Sequence, residues 1–289
     1  MAAVSPLLTY SLRMAVEGAS ALRGARPRWL EHASDVRFVD YTSRNGDTLL
    51  HLDAPVLGDA APELFEQVRL WPEGPSPEST AVDLLGTAVR DVRDANSDSA
   101  RYDRQLLSRL ARFRDLVHRQ VSSIWLPAQP GRNGEPVAVD EQVAATAREL
   151  SNSTPPAQEV RVVGKLDMIR HSTRSFGLKM QDDSEVRGVL EDASLVETIG
   201  SFFGRKVLVL GRAVYRPSGS VLRIEARAVA EGEGQPRLFE KVPAPRRSRP
   251  PVVRFKPGEA RSWLDSFFGK WPGDETAEEL EVMLRRIRG

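Results

Sequence analysis

The chain has 289 residues, room for two domains at about 100–200 residues per core. Apolar residues at 40% and charged residues at 28% fit a water-exposed globular protein, and a net charge of +1 excludes a uniformly basic surface, so any polyanion contact is local. There is no cysteine, which excludes disulfides, thiolate metal sites and a cysteine nucleophile.

Met1–Tyr10 contains Pro6 and lacks a basic segment followed by a long apolar run. No stretch approaches the roughly 18 apolar residues of a membrane span. A cytoplasmic location is the expectation. Abundant Arg and Ala with few Lys points to a GC-rich bacterial genome.

Residues 1–150 read as a mixed α and β domain. Leu8–Val16 suits a strand or a short helix, with the strand favoured. Pro27 starts a short helix through Ala33. Val36–Tyr41 and Thr48–Asp53 flank Asn45-Gly46, a hairpin signal because both central turn residues want positive φ. Ala60–Trp71 looks helical, ended by Pro72, Pro75 and Pro77. Ser79 caps a helix to about Ala95, with Leu85, Ala88 and Val92 on one face. Ser99 caps the next, where Leu106, Leu110, Phe113 and Val117 make a buried stripe opposite Arg104, Arg109, Arg112 and Arg114. Pro127–Pro136 is loop, Val139–Leu150 is helix, and Ser151–Pro156 is the domain boundary.

Residues 157–240 form the clearest unit. Glu159–Arg170, Ser175–Met180 and Glu185–Leu190 are strands, and Asp182-Asp183 is a turn between the last two. Asp192 or Ser194 caps a helix to Phe203, stopped by Gly204. Lys206–Tyr215 and Val221–Ala230 are strands joined by a turn at 216–220. Three strands, a helix and two strands over 158–230 resemble the OB-fold, a five-stranded barrel. The fold class is therefore α+β, with an OB-like barrel after the mixed domain. Many such barrels grip single strands through stacked aromatics in a basic groove. Here alternation sends Phe176, Leu178 and Met180 inward and leaves Ser175, Gly177, Lys179 and Arg187 outward, with no aromatic among them. A nucleic-acid role would rest on Lys179, Arg187 and Arg212.

No constellation for catalysis, metal or cofactor stands out. His32, His51, His118 and His171 lack ligand spacing, although His51 and Asp53 share a strand face. Asp91 and Asp94 alternate with Arg90 and Arg93 as on a solvated helix face. No glycine-rich phosphate loop or Gly-x-Ser-x-Gly elbow occurs. No enzyme activity and no cofactor are expected.

Residues 241–257 are a stiff Pro/Arg-rich linker. Residues 258–289 carry two apolar stripes: Ala260, Trp263, Leu264 and Phe267, then Leu280, Met283, Leu284 and Ile287. Trp271-Pro272-Gly273 turns the chain between them, and Thr276 with Glu279 suits a capping box. A helix of about three turns is marginal alone in water, so its stripe needs a surface to cover it. The run Phe268-Gly-Lys-Trp-Pro-Gly-Asp-Glu, continuing into Glu278-Glu279-Leu280, resembles the C-terminal segments of bacterial antitoxin-type proteins paired with PIN-domain ribonuclease toxins. The resemblance covers about 20 residues. It implies a tail that wraps a toxin and covers its acidic site. Trp263, Phe267, Trp271, Leu280, Met283, Leu284 and Ile287 would then be anchors, with Arg285, Arg286 and Arg288 pairing with carboxylates. The chain lacks the DNA-binding head of small antitoxins. The leading expectation is a non-enzymatic, antitoxin-like regulator that binds a partner protein, and the alternative is a single-strand-binding accessory protein.

Overall fold

The computed structural model describes residues 4–22, 26–66, 74–113, 115, 121–127, 135–192 and 194–245. Its first element corrects an expectation: residues 8–16 lie in a helix, α1 (Ser5–Glu17), and not in a strand. Pro6 sits in the first turn, where its missing N–H leaves no bond unmade. Leu8, Leu12 and Val16 recur four apart on the buried face. Gly18 (φ 74) takes the left-handed C-cap and donates to the Met14 carbonyl.

α2 (Arg28–Ala33) follows Pro27. β1 (Arg37–Arg44) and β2 (Asp47–Asp53) pair through Asn45 and Gly46, at φ 53 and 86, the turn geometry that Asn-Gly favours. The helix expected from Ala60 is interrupted instead. α3 (Leu57–Ala60) stops at Ala61 and a 3-10 turn covers Pro62–Leu64, while residues 67–71 lie outside the described residues. Pro62 cannot continue α3, because it has no N–H to bond back into that helix.

α4 (Ala81–Arg93) is capped by Thr80 rather than Ser79. Thr80 Oγ1 accepts from Asp83 N at 3.3 Å, and the Asp83 carboxylate accepts from Thr80 N at 2.8 Å. α5 (Arg104–Arg112) is capped by Asp103 and not by Ser99, whose hydroxyl donates to Asp91. Asp103 is better suited, since its carboxylate takes two N–H groups of the first turn. Val117 and Arg114 lie outside the described residues. β3 (Ile124–Leu126) and β4 (Val137–Val139) pair antiparallel. α6 (Glu141–Ser153), capped by Asp140, runs three residues into the expected break at 151–156. Apolar residues of 7–150 pack into one cluster, with Leu12, Leu30, Leu85, Leu106, Leu107 and Leu110 at its centre.

A closed five-stranded barrel follows, in the order β5-β6-β7-β9-β8. β5 (Gln158–Arg170) is long enough to close it alone, pairing through residues 158–165 with β8 (Lys206–Tyr215) and through residues 165–170 with β6 (Ser175–Lys179). β7 (Glu185–Leu190) pairs antiparallel with β6 and parallel with β9 (Val221–Glu231). α7 (Leu195–Gly200), shorter than the helix expected to Phe203, lies in sequence between the third and fourth strands and sends Val196 and Ile199 into the barrel core. Along β8, Val207, Val209, Ala213 and Tyr215 alternate inward. Phe176 lies opposite Gly188, and its ring occupies the space of an absent Cβ there.

Both apolar clusters belong to one compact unit, Met1–Arg247. The linker from 246 onward and the whole tail lie outside the described residues, and with them every docking residue expected there: Trp263, Phe267, Trp271, Leu280, Met283, Leu284, Ile287, Arg285, Arg286 and Arg288.

Candidate functional site

The barrel and the helical part meet along the outer face of β6, β7 and β9. By alternation that face carries Ser175, Gly177, Arg187, Val189, Arg223 and Glu225, and all but Arg187 are buried. Ser175, Gly177 and Arg187 thus point out of the barrel, as the alternation predicts, but the helical part covers Ser175 and Gly177 there. Alternation reports which side of a strand a residue takes, not what lies beyond it.

Polar ties cross the seam. Arg223 Nη2 donates to Asp103 Oδ2 at 3.1 Å. The same carboxylate accepts from Ser20 Oγ at 2.6 Å, Ser20 N at 3.1 Å and the α5 amides of Gln105 and Leu106. Burial raises the Asp103 pKa, but Arg223 and these donors outweigh it and hold the carboxyl below the ordinary range. The β8–β9 turn grips residues 97–98: Ser218 N donates to Ser97 O at 3.0 Å and Ser218 Oγ to Asp98 at 2.8 Å, with Ser220 Oγ on the same carboxylate. Arg170 donates to Leu64 O, and Arg187 Nη2 to Val16 O at 3.3 Å.

Beside these ties a cleft of about 1160 Å³ opens between α1 and α4 on one side and β7 with the β8–β9 turn on the other. Met14, Val16, Phe65, Leu84, Val186 and Leu222 give it apolar walls. Arg170, Arg187 and Arg216 also line it. The Arg187 guanidinium lies over Gly18, so close that a Cβ there would stand 2.6 Å from Cζ. Burial first, then the neighbouring Arg223 and Arg170, push its pKa down to about 10. No carboxylate among the described residues pairs with it, and its Nε is sealed without a partner.

A second surface lies on the hairpin. Val39 is a β-bulge: Phe38 is registered with Leu52 and Asp40 with His51. That extra residue brings Phe38 and Tyr41 onto the same face as Leu50 and Leu52. Their exposures are 50%, 61%, 49% and 37%, and nothing among the described residues covers the face. The other face carries Asp40, Thr42, His51 and the registered residues Arg37 with Asp53 and Arg44 with Asp47, together with one apolar side chain, Leu49, which is 62% exposed. His51 Nε2 lies 3.1 Å from Thr42 Oγ1, and it is this hydroxyl, rather than Asp53, that its ring engages.

The residues expected to meet nucleic acid are held differently from one another. Lys179 is at the surface, with Asp183 3.0 Å away. Arg212 donates to Glu225 Oε2 through Nε at 3.1 Å and Nη2 at 2.5 Å. Arg187 faces α1. The Asp91–Asp94 stretch is a salt-bridged face, with Arg101 on Asp91 at 2.9 Å and Arg93 on Asp94 at 2.9 Å. Among the described residues no three His, Asp or Glu side chains are placed to hold a metal ion, and no helix is long and apolar enough to cross a membrane. The Arg187 cluster and the hairpin face were both missed in the sequence. The Asn-Gly turn was a signal for the hairpin, but nothing marked its face as uncovered.

No protein-family model matches the chain, and comparisons with curated proteins and with solved structures found no match.

Proposed function

We propose that this is a non-enzymatic protein that works by binding a partner protein. The observation that carries the reading is the uncovered face of Phe38, Tyr41, Leu50 and Leu52. A two-stranded hairpin is marginal alone in water, and its apolar face gains most when a second layer covers it. Contiguous exposed apolar side chains are typical of interaction sites.

The strand order, the helix between the third and fourth strands and the parallel contact between the third and fifth support an OB-type barrel. The surface that such barrels commonly use for oligonucleotides, the face of the second and third strands with the loop joining the fourth and fifth, is here turned to the helical part. That favours the barrel as a scaffold over the single-strand-binding alternative. The finer regulator reading, an antitoxin-like tail that inhibits a ribonuclease-type toxin in the cytoplasm, rests on the sequence of residues 258–289.

Co-expression with the product of the adjacent reading frame tests both levels. The reading expects a stable complex that Tyr41→Asp with Leu50→Asp weakens, and a toxin-like partner expects release on deletion of residues 258–289. A complex indifferent to the hairpin pair removes the hairpin's role, and one indifferent to the deletion removes the antitoxin-like tail. No complex at all leaves the partner-binding reading without support.

A further inference from the structure

We propose that the cleft between α1 and β7 binds a small organic phosphate, with its phosphate group on Arg187 and its apolar body along the cleft walls. The fold leaves one charge unanswered. Arg187 is half-buried at the seam, and the like charges of Arg223 and Arg170 act on it. Its bonded acceptor is a carbonyl, Val16 O at 3.3 Å. The C-terminal end of α1 contributes only about half a negative charge, so a guanidinium there remains under-neutralised. Arg223 beside it is different, since Asp103 and Glu225 both pair with it.

Of the acids that line the cleft, Asp83 caps α4 through Thr80, Asp182 accepts from Ser184, Glu78 accepts from Ser76, and Glu240 Oε1 accepts from Lys206 of β8 at 3.2 Å. Glu240 Oε2 has no partner among the described residues and Glu185 is exposed at the rim; none of these acids pairs with Arg187. A cation largely withdrawn from water without a counter-charge is disfavoured unless an anion joins it. Guanidinium forks match phosphate oxygens in pairs. The cleft, at about 1160 Å³, far exceeds a bare phosphate, and Met14, Phe65, Leu84 and Leu222 offer contact to an apolar body. Ser11 adds a second buried group, a hydroxyl that lines the cleft and has no partner.

Calorimetric titration and thermal-shift measurements on the full chain, with phenyl phosphate, AMP, phenol and inorganic phosphate as probes, test this. At least one of the two organic phosphates should bind at one site per chain and raise Tm. Inorganic phosphate should bind more weakly, and phenol not at all. Arg187→Gln should weaken binding about tenfold or more, the loss expected for a charged hydrogen bond. Because Arg187 also holds Val16, Ala15→Trp, at another position lining the cleft, serves as a second variant, and it should lose the ligand while circular dichroism shows the chain still folded. Absence of binding by both organic phosphates at millimolar concentration overturns the proposal, as does binding that neither variant changes. Inorganic phosphate binding as tightly as the organic probes overturns the apolar-body part and leaves a simple anion site.

Discussion

Arg223 Nη2 stands 3.1 Å from Asp103 Oδ2, with the two side chains only 4% and 2% exposed. One residue is on the last barrel strand and the other caps a helix, so the pair fixes both the seam and the start of α5. Removing one member of a buried pair costs about 3–5 kcal/mol when the other charge is left alone, and here Arg223 would keep Glu225 at 2.8 Å. Asp103→Ala should fall in that range by urea unfolding, because it also removes the cap. Arg223→Met should cost less, since Asp103 keeps Ser20 and the two α5 amides as donors.

The same carboxyl sets an acid limit. Its folded pKa lies below its unfolded one, so the stability it gives is complete above the unfolded value of about 3.9. That stability disappears as pH falls through the folded value. Wild-type protein should therefore lose stability more steeply below about pH 4 than Asp103→Asn does. Equal acid slopes for the two would show that the carboxyl carries no such linkage.

Gly18 and Gly86 should respond to alanine in opposite directions. Gly18 has φ +74, and a Cβ there would meet the Arg187 guanidinium at 2.6 Å. Gly18→Ala should lower stability by about 1 kcal/mol or more. Gly86 is inside α4 with open space at its Cβ position. Gly86→Ala should raise stability by roughly 0.5–1 kcal/mol. Thermal unfolding of the two single variants decides this.

Tyr41→Asp with Leu50→Asp should lower the stability of the isolated chain by no more than about 1 kcal/mol, because the positions are exposed and the cost is confined to two carboxylates directly opposite each other. Equilibrium unfolding of the chain without partner measures it. A large loss of stability would mean that the hairpin face is covered within the chain.

Much of the barrel could be read from the sequence, because its strands alternate and its turns carry Asp182-Asp183 and Pro217-Ser218-Gly219. The inward set Phe176, Leu178 and Met180 follows from period two alone. α1 was misread because a window of nine residues with many apolar positions satisfies both periods, and the stops at Pro6 and Gly18 lie just outside it. Thr80 and Asp103 escaped as caps because Ser79 and Ser99 offer the same chemistry one and four residues earlier. The seam was out of reach for another reason. Arg187 and Gly18, or Arg223 and Asp103, are brought together only by tertiary folding, and a single sequence holds no trace of such distant pairings.

Val39 sets the phase of a wave. Up to that point the side chains of β1 keep one rhythm, and after it they run half a cycle late. Loss of its single codon would leave Asn45-Gly46 intact and the ribbon the same but for one residue. Phe38 would then stand two residues from Tyr41 and still opposite Leu52, so the same four side chains would share one face of an unbulged ribbon. The surplus residue thus absorbs an odd spacing in β1, and a substitution at Val39 that keeps the chain length should leave that face in phase.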